Sequence, residues 1–95
     1  MITSKQRAKL RSMANGLSPI VHVGKGGISD NLIEQLDGAL ETRELVKITI
    51  LQSCDEDARV LCDTLAKKLG AEPVQAIGKK FVLYRESKDH KKIEL

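Results

Sequence analysis

The hydrophobic period of this chain changes repeatedly between about 3.6 and 2 within 95 residues, a pattern that excludes an all-helical bundle and an all-strand sandwich alike. From Ser4 a helical segment runs to the vicinity of Gly16, with Leu10, Met13, Ala14 and Leu17 as its apolar stripe and Gly16 placed for a left-handed cap. Pro19 closes the connection. Ile20-Val21-His22-Val23 is a short β-rich run that stops at Gly24-Lys25-Gly26-Gly27. Ser29 or Asp30 caps a second helix whose stripe is Leu32, Ile33, Leu36, Ala39 and Leu40. Val46, Ile48 and Ile50 alternate with Lys47 and Thr49, which gives a strand over residues 45–51. Ser53 or Asp55 opens a third helix with Ala58, Leu61, Cys62, Leu65 and Leu69 on one side and Gly70 as its stop. Two strands follow, about Val74–Ile77 and Phe81–Arg85, joined by a turn at Gly78-Lys79-Lys80. A charged tail from Glu86 reads as frayed.

The order is therefore α-β-α-β-α-β-β, an α/β chain of the two-layer α+β sandwich type with a four-stranded mixed sheet. Helical connections between strands imply parallel, right-handed crossovers, which place the second and third helices on one side of the sheet. The first helix is an addition whose docking the pattern leaves open. A single domain over residues 1–87 and a tail over residues 88–95 are expected, because a chain this short supports one modest core.

Composition narrows the function. Phe81 and Tyr84 are the only aromatics, too few for a binder that stacks successive bases on rings. Tyr84 is open either to stacking on one base or to packing in the core. Any nucleic-acid contact is expected to run mainly through phosphates and backbone amides. Cys54 and Cys62 are too few for a disulfide framework and lack the spacing of a zinc site, so no metal or cofactor is expected. No apolar run is long enough to span a membrane, and the N-terminal residues lack the apolar stretch of a signal peptide. A cytoplasmic, monomeric protein is expected.

The net charge of +3 conceals strong segregation. Residues 1–25 hold Lys5, Arg7, Lys9, Arg11 and Lys25 with no acid; residues 26–66 are acidic; residues 67–95 are basic again. Such a chain gains a one-sided basic surface if the fold brings its ends together. On a helix, Lys5 and Lys9 flank one edge of the Leu10 stripe, and Arg7 and Arg11 flank the other.

Gly24-Lys25-Gly26-Gly27 lies between a strand and a helix. A loop nearly free of Cβ atoms brings its amides close to a phosphate, and the N–H groups opening the next helix add partial positive charge. The G-x-x-G spacing is that of a backbone clamp on RNA; a tight turn that merely needs positive φ is the competing reading. A dinucleotide fingerprint and a Walker A loop both fail, because Ser29, Asp30 and Asn31 stand where their last glycine, lysine and hydroxyl residues are required. His22 adjoins the loop and is open to an internal hydrogen bond or a phosphate contact. Lys47, on the polar side of its strand, Lys79 and Lys80 in the turn, and Arg85 at the last strand's end complete the candidate set. Arg85 is equally suited to a neighbouring acid. Asp55, Glu56 and Asp57 have the look of acids at a helix start.

These blocks together — Gly24-Lys25-Gly26-Gly27 after Ile20–Val23, Leu45-Val46-Lys47-Ile48, and Val74-Gln75-Ala76-Ile77-Gly78-Lys79 running into Val82-Leu83-Tyr84-Arg85 — resemble the CRM domain, the chloroplast RNA splicing and ribosome maturation family, in its bacterial stand-alone YhbY-like form. The resemblance covers about Ser4 to Arg85. It implies RNA binding, association with precursors of the large ribosomal subunit, and a fold like the C-terminal domain of bacterial translation initiation factor three. It maps the family's G-x-x-G loop onto Gly24–Gly27, with Gly26 an extra glycine inside the motif. The expected function is non-enzymatic RNA binding in large-subunit assembly. The alternatives are a protein-interaction module whose basic surface meets an acidic partner, and a small enzyme acting on a phosphorylated ligand.

Overall fold

A computed structural model describes residues 2–95. The elements are α1 (Ser4–Ala14), β1 (Val21–Val23), α2 (Asp30–Arg43), β2 (Leu45–Ile50), α3 (Ala58–Leu69), β3 (Glu72–Ile77) and β4 (Lys80–Tyr84). They form the expected four-stranded mixed sheet, in the order β1-β2-β4-β3. β1 pairs parallel with β2, while β4 pairs antiparallel with both β2 and β3. The hairpin strand β4 is thus inserted between the strands joined by the second crossover. β3 becomes an edge, which is where Pro73, lacking an N–H, is tolerated.

α2 and α3 pack on one face. Leu32, Leu36 and Leu40 from α2 and Leu61, Cys62, Leu65 and Leu69 from α3 close over Val21, Val23, Val46, Ile48, Ile50, Phe81 and Leu83. Each helix starts where a side chain can satisfy an orphan amide. Ser29 accepts from Leu32 N at 3.1 Å. Asp57, rather than Ser53 or Asp55, caps α3 by accepting from Arg59 N at 2.7 Å. Gly70 ends α3 at φ +64°, and Gly78 turns the β3–β4 hairpin at φ +60°.

α1 docks on the opposite face, where Leu10 and Ala14 meet Leu45, Val74, Val82 and Tyr84, so the sandwich acquires a partial third layer. Its start is a reciprocal capping box between Thr3 and Gln6. Its end departs from expectation: Asn15 closes it in a right-handed conformation, Gly16 has no positive φ, and Met13 and Leu17 are exposed. Lys47 does the terminating work instead. Its Nζ donates to the carbonyls of Ala14 and Leu17, both at 3.3 Å.

The tail is irregular but held, not frayed. Ile93 is buried in the second core with α1. The carboxylate of Glu44, wholly buried, accepts from the amides of Ser87, Lys92 and Ile93 at 2.6–2.8 Å. Glu41 accepts from the Ser87 hydroxyl at 2.6 Å and from the Lys88 and Asp89 amides, both at 3.2 Å. No helix among the described residues is long and apolar enough to cross a membrane.

Candidate nucleic-acid interface

The glycine loop stands at the end of the sheet where β1 and β2 finish. Leu51 N donates to Val23 O at 2.9 Å on one side of β2, and Ile50 N donates to Lys79 O at 2.7 Å on the other. The end of β2 is thereby bracketed by the loop and by the β3–β4 turn, about two strand spacings or ~10 Å apart. Lys25, Lys79 and Lys80 are all exposed there. So is His22, whose side chain faces away from α2 and α3 and finds no hydrogen-bond partner among the described residues.

Within the loop, Gly27 N donates back to Gly24 O at 3.0 Å, and Gly27 takes φ +64°. One amide is therefore consumed by the turn itself. Those of Lys25 and Gly26, at the exposed tip, have no partner among the described residues. The turn requires a glycine at Gly27 alone. At Gly26 the φ is ordinary and an added Cβ would meet nothing within 4 Å. At Gly24 it would make an ordinary 3.8 Å contact with Leu51. α2 begins two residues beyond the turn's next step, with Ser29 spending its hydroxyl on Leu32 N.

The acids of the β2–α3 connection complicate this corner. Lys25, Gly26, Gly27 and Ile28 share a cleft of about 530 Å³ with Ser53, Cys54, Asp55 and Glu56. A Cβ built on Gly27 would lie 3.3 Å from Glu56 Oε2. One flank of the loop is thus acidic, toward α3, and the other is cationic, toward Lys79 and Lys80.

The remaining candidates are dispersed. Arg85 sits at the opposite end of the sheet, where it bridges to Asp37 Oδ1 at 2.8 Å and also donates to the carbonyls of Leu69 and Asp37, each at 3.0 Å. It joins β4 to α2 and α3, taking up the acid partner rather than a phosphate. Lys47 is occupied with the end of α1. Arg7 Nε donates to Pro73 O at 3.2 Å, and Lys9 Nζ to Glu94 O at 2.6 Å. Lys5 and Arg11 are exposed on α1 without such ties. Tyr84 is core, and burial, helped by Asp63, pushes the Cys62 thiol up to about 12, so it behaves as an inert apolar group. Glu56 is the residue that reading along the chain missed. It is one of three consecutive acids, and only the folded loop brings it against Gly27.

The CRS1 / YhbY (CRM) domain model matches residues 2–85. A protein of Bacillus subtilis named "Probable RNA-binding protein YqeI" is 50% identical over 100% of this chain and 99% of its own length. A protein of Haemophilus influenzae named "RNA-binding protein" is 29% identical over 95% of this chain and 91% of its own. The solution structure of a hypothetical protein from Staphylococcus aureus superposes with a TM-score of 0.84 at 48% identity, covering 100% of this chain and 99% of that one. With the model spanning the loop, the sheet and all three helices, the chain belongs to the CRS1/YhbY (CRM) domain family.

Proposed function

We propose that this chain is a non-enzymatic RNA-binding protein that associates with precursor large ribosomal subunits and assists their assembly. It grips the phosphate backbone through Gly24–Gly27, with Lys25, Lys79 and Lys80 supplying charge and His22 an exposed polar contact. The observation that carries this reading is the loop tip, where the amides of the exposed residues Lys25 and Gly26 have no partners among the described residues, beside a cationic flank. Bare amides with adjacent lysines are the arrangement a phosphate oxygen needs. The names of the relatives agree in kind.

The test is Gly26→Asp, alone and with Gly24→Asp, measured as affinity for ribosomal RNA fragments. Gly27 is left untouched because its φ of +64° would strain any replacement. Since Gly26 meets no steric limit, the fold should persist, and affinity should fall by about tenfold or more, the scale of one charge-assisted contact replaced by repulsion. Unchanged affinity would remove the loop from the interface. The ribosomal assignment is tested by sedimentation: co-migration with large-subunit precursors should be lost on nuclease treatment, and its survival would point to a protein partner instead.

A further inference from the structure

α1 and the tail cover only the half of their sheet face that carries Leu45, Val74, Val82 and Tyr84. The half nearest the glycine loop is open. Across it runs one register row, His22 opposite Thr49, Thr49 opposite Lys80, and Lys80 opposite Ile77. Ile77 is 68% exposed and Ile20, two residues before His22, is 40% exposed. One aliphatic side chain, Ile77, thus ends a polar and cationic row and a second, Ile20, flanks its other end, on a surface that no other element covers among the described residues.

Charge decides what fits. The four strands carry a single carboxylate, Glu72, which pairs with Tyr84 at the far end. α1 carries none. A protein partner with an acidic surface would meet the lysines but would have to desolvate its charges against Ile20 and Ile77. An unpaired nucleotide strand has both features required: phosphates for Lys79 and Lys80, and flat apolar base faces for the isoleucines. A duplex keeps its base faces stacked inside.

We propose that this open half-face is a platform for the bases of a single-stranded RNA segment whose backbone is held by the glycine loop. This rests on the RNA-binding reading above and extends it. The strand leaves the loop at Lys25, crosses β1, β2 and β4 along the His22–Thr49–Lys80 row, and reaches Ile77. Aliphatic contact takes the place of the aromatic stacking that this chain cannot supply, and the specificity gained is for unpaired RNA over duplex.

The experiment measures binding of the full chain to oligouridylate, to an abasic ribose–phosphate chain of equal length, and to a duplex of equal length. The wild type should prefer oligouridylate to both. Ile20→Ser with Ile77→Ser should weaken oligouridylate binding by about tenfold, the scale of removing a few methylene contacts. It should leave the abasic chain and the salt dependence unaffected. Both positions are exposed, so the thermal midpoint should hold, and Ile77→Ser alone repeats the measurement in a milder background. Equal binding of oligouridylate and the abasic chain, or no effect of the serine pair, overturns the platform. Gly26→Asp reports separately. If it leaves every probe bound as before, the loop reading fails, whereas loss with Gly26→Asp and none with the serine pair overturns the platform alone. If the serine pair instead abolishes only a nuclease-resistant association, the patch serves a protein and the platform is likewise overturned.

Discussion

Glu56 shows how one side chain can set the strength of the proposed backbone site. Its carboxylate oxygen lies 3.3 Å from where a Gly27 Cβ would stand, inside the cleft that the loop shares with the β2–α3 connection. A phosphate settling on the Lys25 and Gly26 amides would feel that charge at short range and only partly screened. Removing the charge while keeping the shape, as in Glu56→Gln, should therefore tighten RNA binding several-fold, an electrostatic gain of under about 1.4 kcal/mol. The gain should shrink at high salt. Titration at two salt concentrations checks this, and unchanged or weaker binding would mean that the bound phosphate sits away from Gly27. Nothing along the sequence marks Glu56 apart from Asp55 and Asp57. Asp57 alone proves to be the helix cap, and the difference between the three depends on a turn that brings residue 27 against residue 56. The position of the loop was legible, since glycines between a strand and a helix mark a turn, but the spacing alone left a phosphate clamp and a plain tight turn both open. The capture of Arg85 by Asp37 was legible only as one of two possibilities, because an arginine at a strand end suits either anion.

At the level of elements, the periodicities located three helices and four strands to within a few residues, because each buries one face against a common sheet. What they did not locate was anything held by polar contacts over long separations. The tail is the clearest case. Its backbone amides bind Glu41 and Glu44, more than forty residues earlier, and such bonds leave no periodic trace. Ile93, a lone apolar residue among charges, was the one signal available. The latch makes a pH prediction. The Ser87 hydroxyl, with the Lys88 and Asp89 amides, holds Glu41 down at about 2 from an ordinary 4.5. Burial pushes the Glu44 carboxyl up, but the Ser87, Lys92 and Ile93 amides outweigh it and keep the carboxyl below its ordinary value. A carboxylate lowered in the folded state contributes stability in full above its unfolded value, and loses it as pH falls toward the folded one. The tail should thus stay docked at pH 5 and detach progressively between about 4.5 and 2. Amide shifts of Ser87, Lys92 and Ile93 followed by NMR would show it. Detachment already complete near pH 5 would mean that these carboxylates do not hold the tail.

For the whole molecule, the fold converts segregation along the chain into two unlike faces. Residues 30–44 and 55–69, the α2 and α3 layer with its leading turns, hold nine acids against four bases. Everything else holds twelve bases against four acids. A net charge of +3 is therefore a poor guide to how the protein meets a polyanion, since the helical layer repels while the opposite face and loop attract. If RNA lies only on the loop end and the open sheet face, lysines of equal exposure must differ in effect. Each phosphate contact contributes about 0.7–0.9 to the slope of log affinity against log salt. Lys79→Gln with Lys80→Gln should then lower the slope by about 1.5 and weaken binding across RNA sequences alike. Lys67→Gln with Lys68→Gln, on the last turn of α3 in the acidic layer, removes the same net charge and should leave the slope unchanged. Equal losses from the two pairs would show that RNA responds to net charge alone. The orientation inferred from the loop would then have no physical basis, because a molecule bound by its total charge has no preferred face.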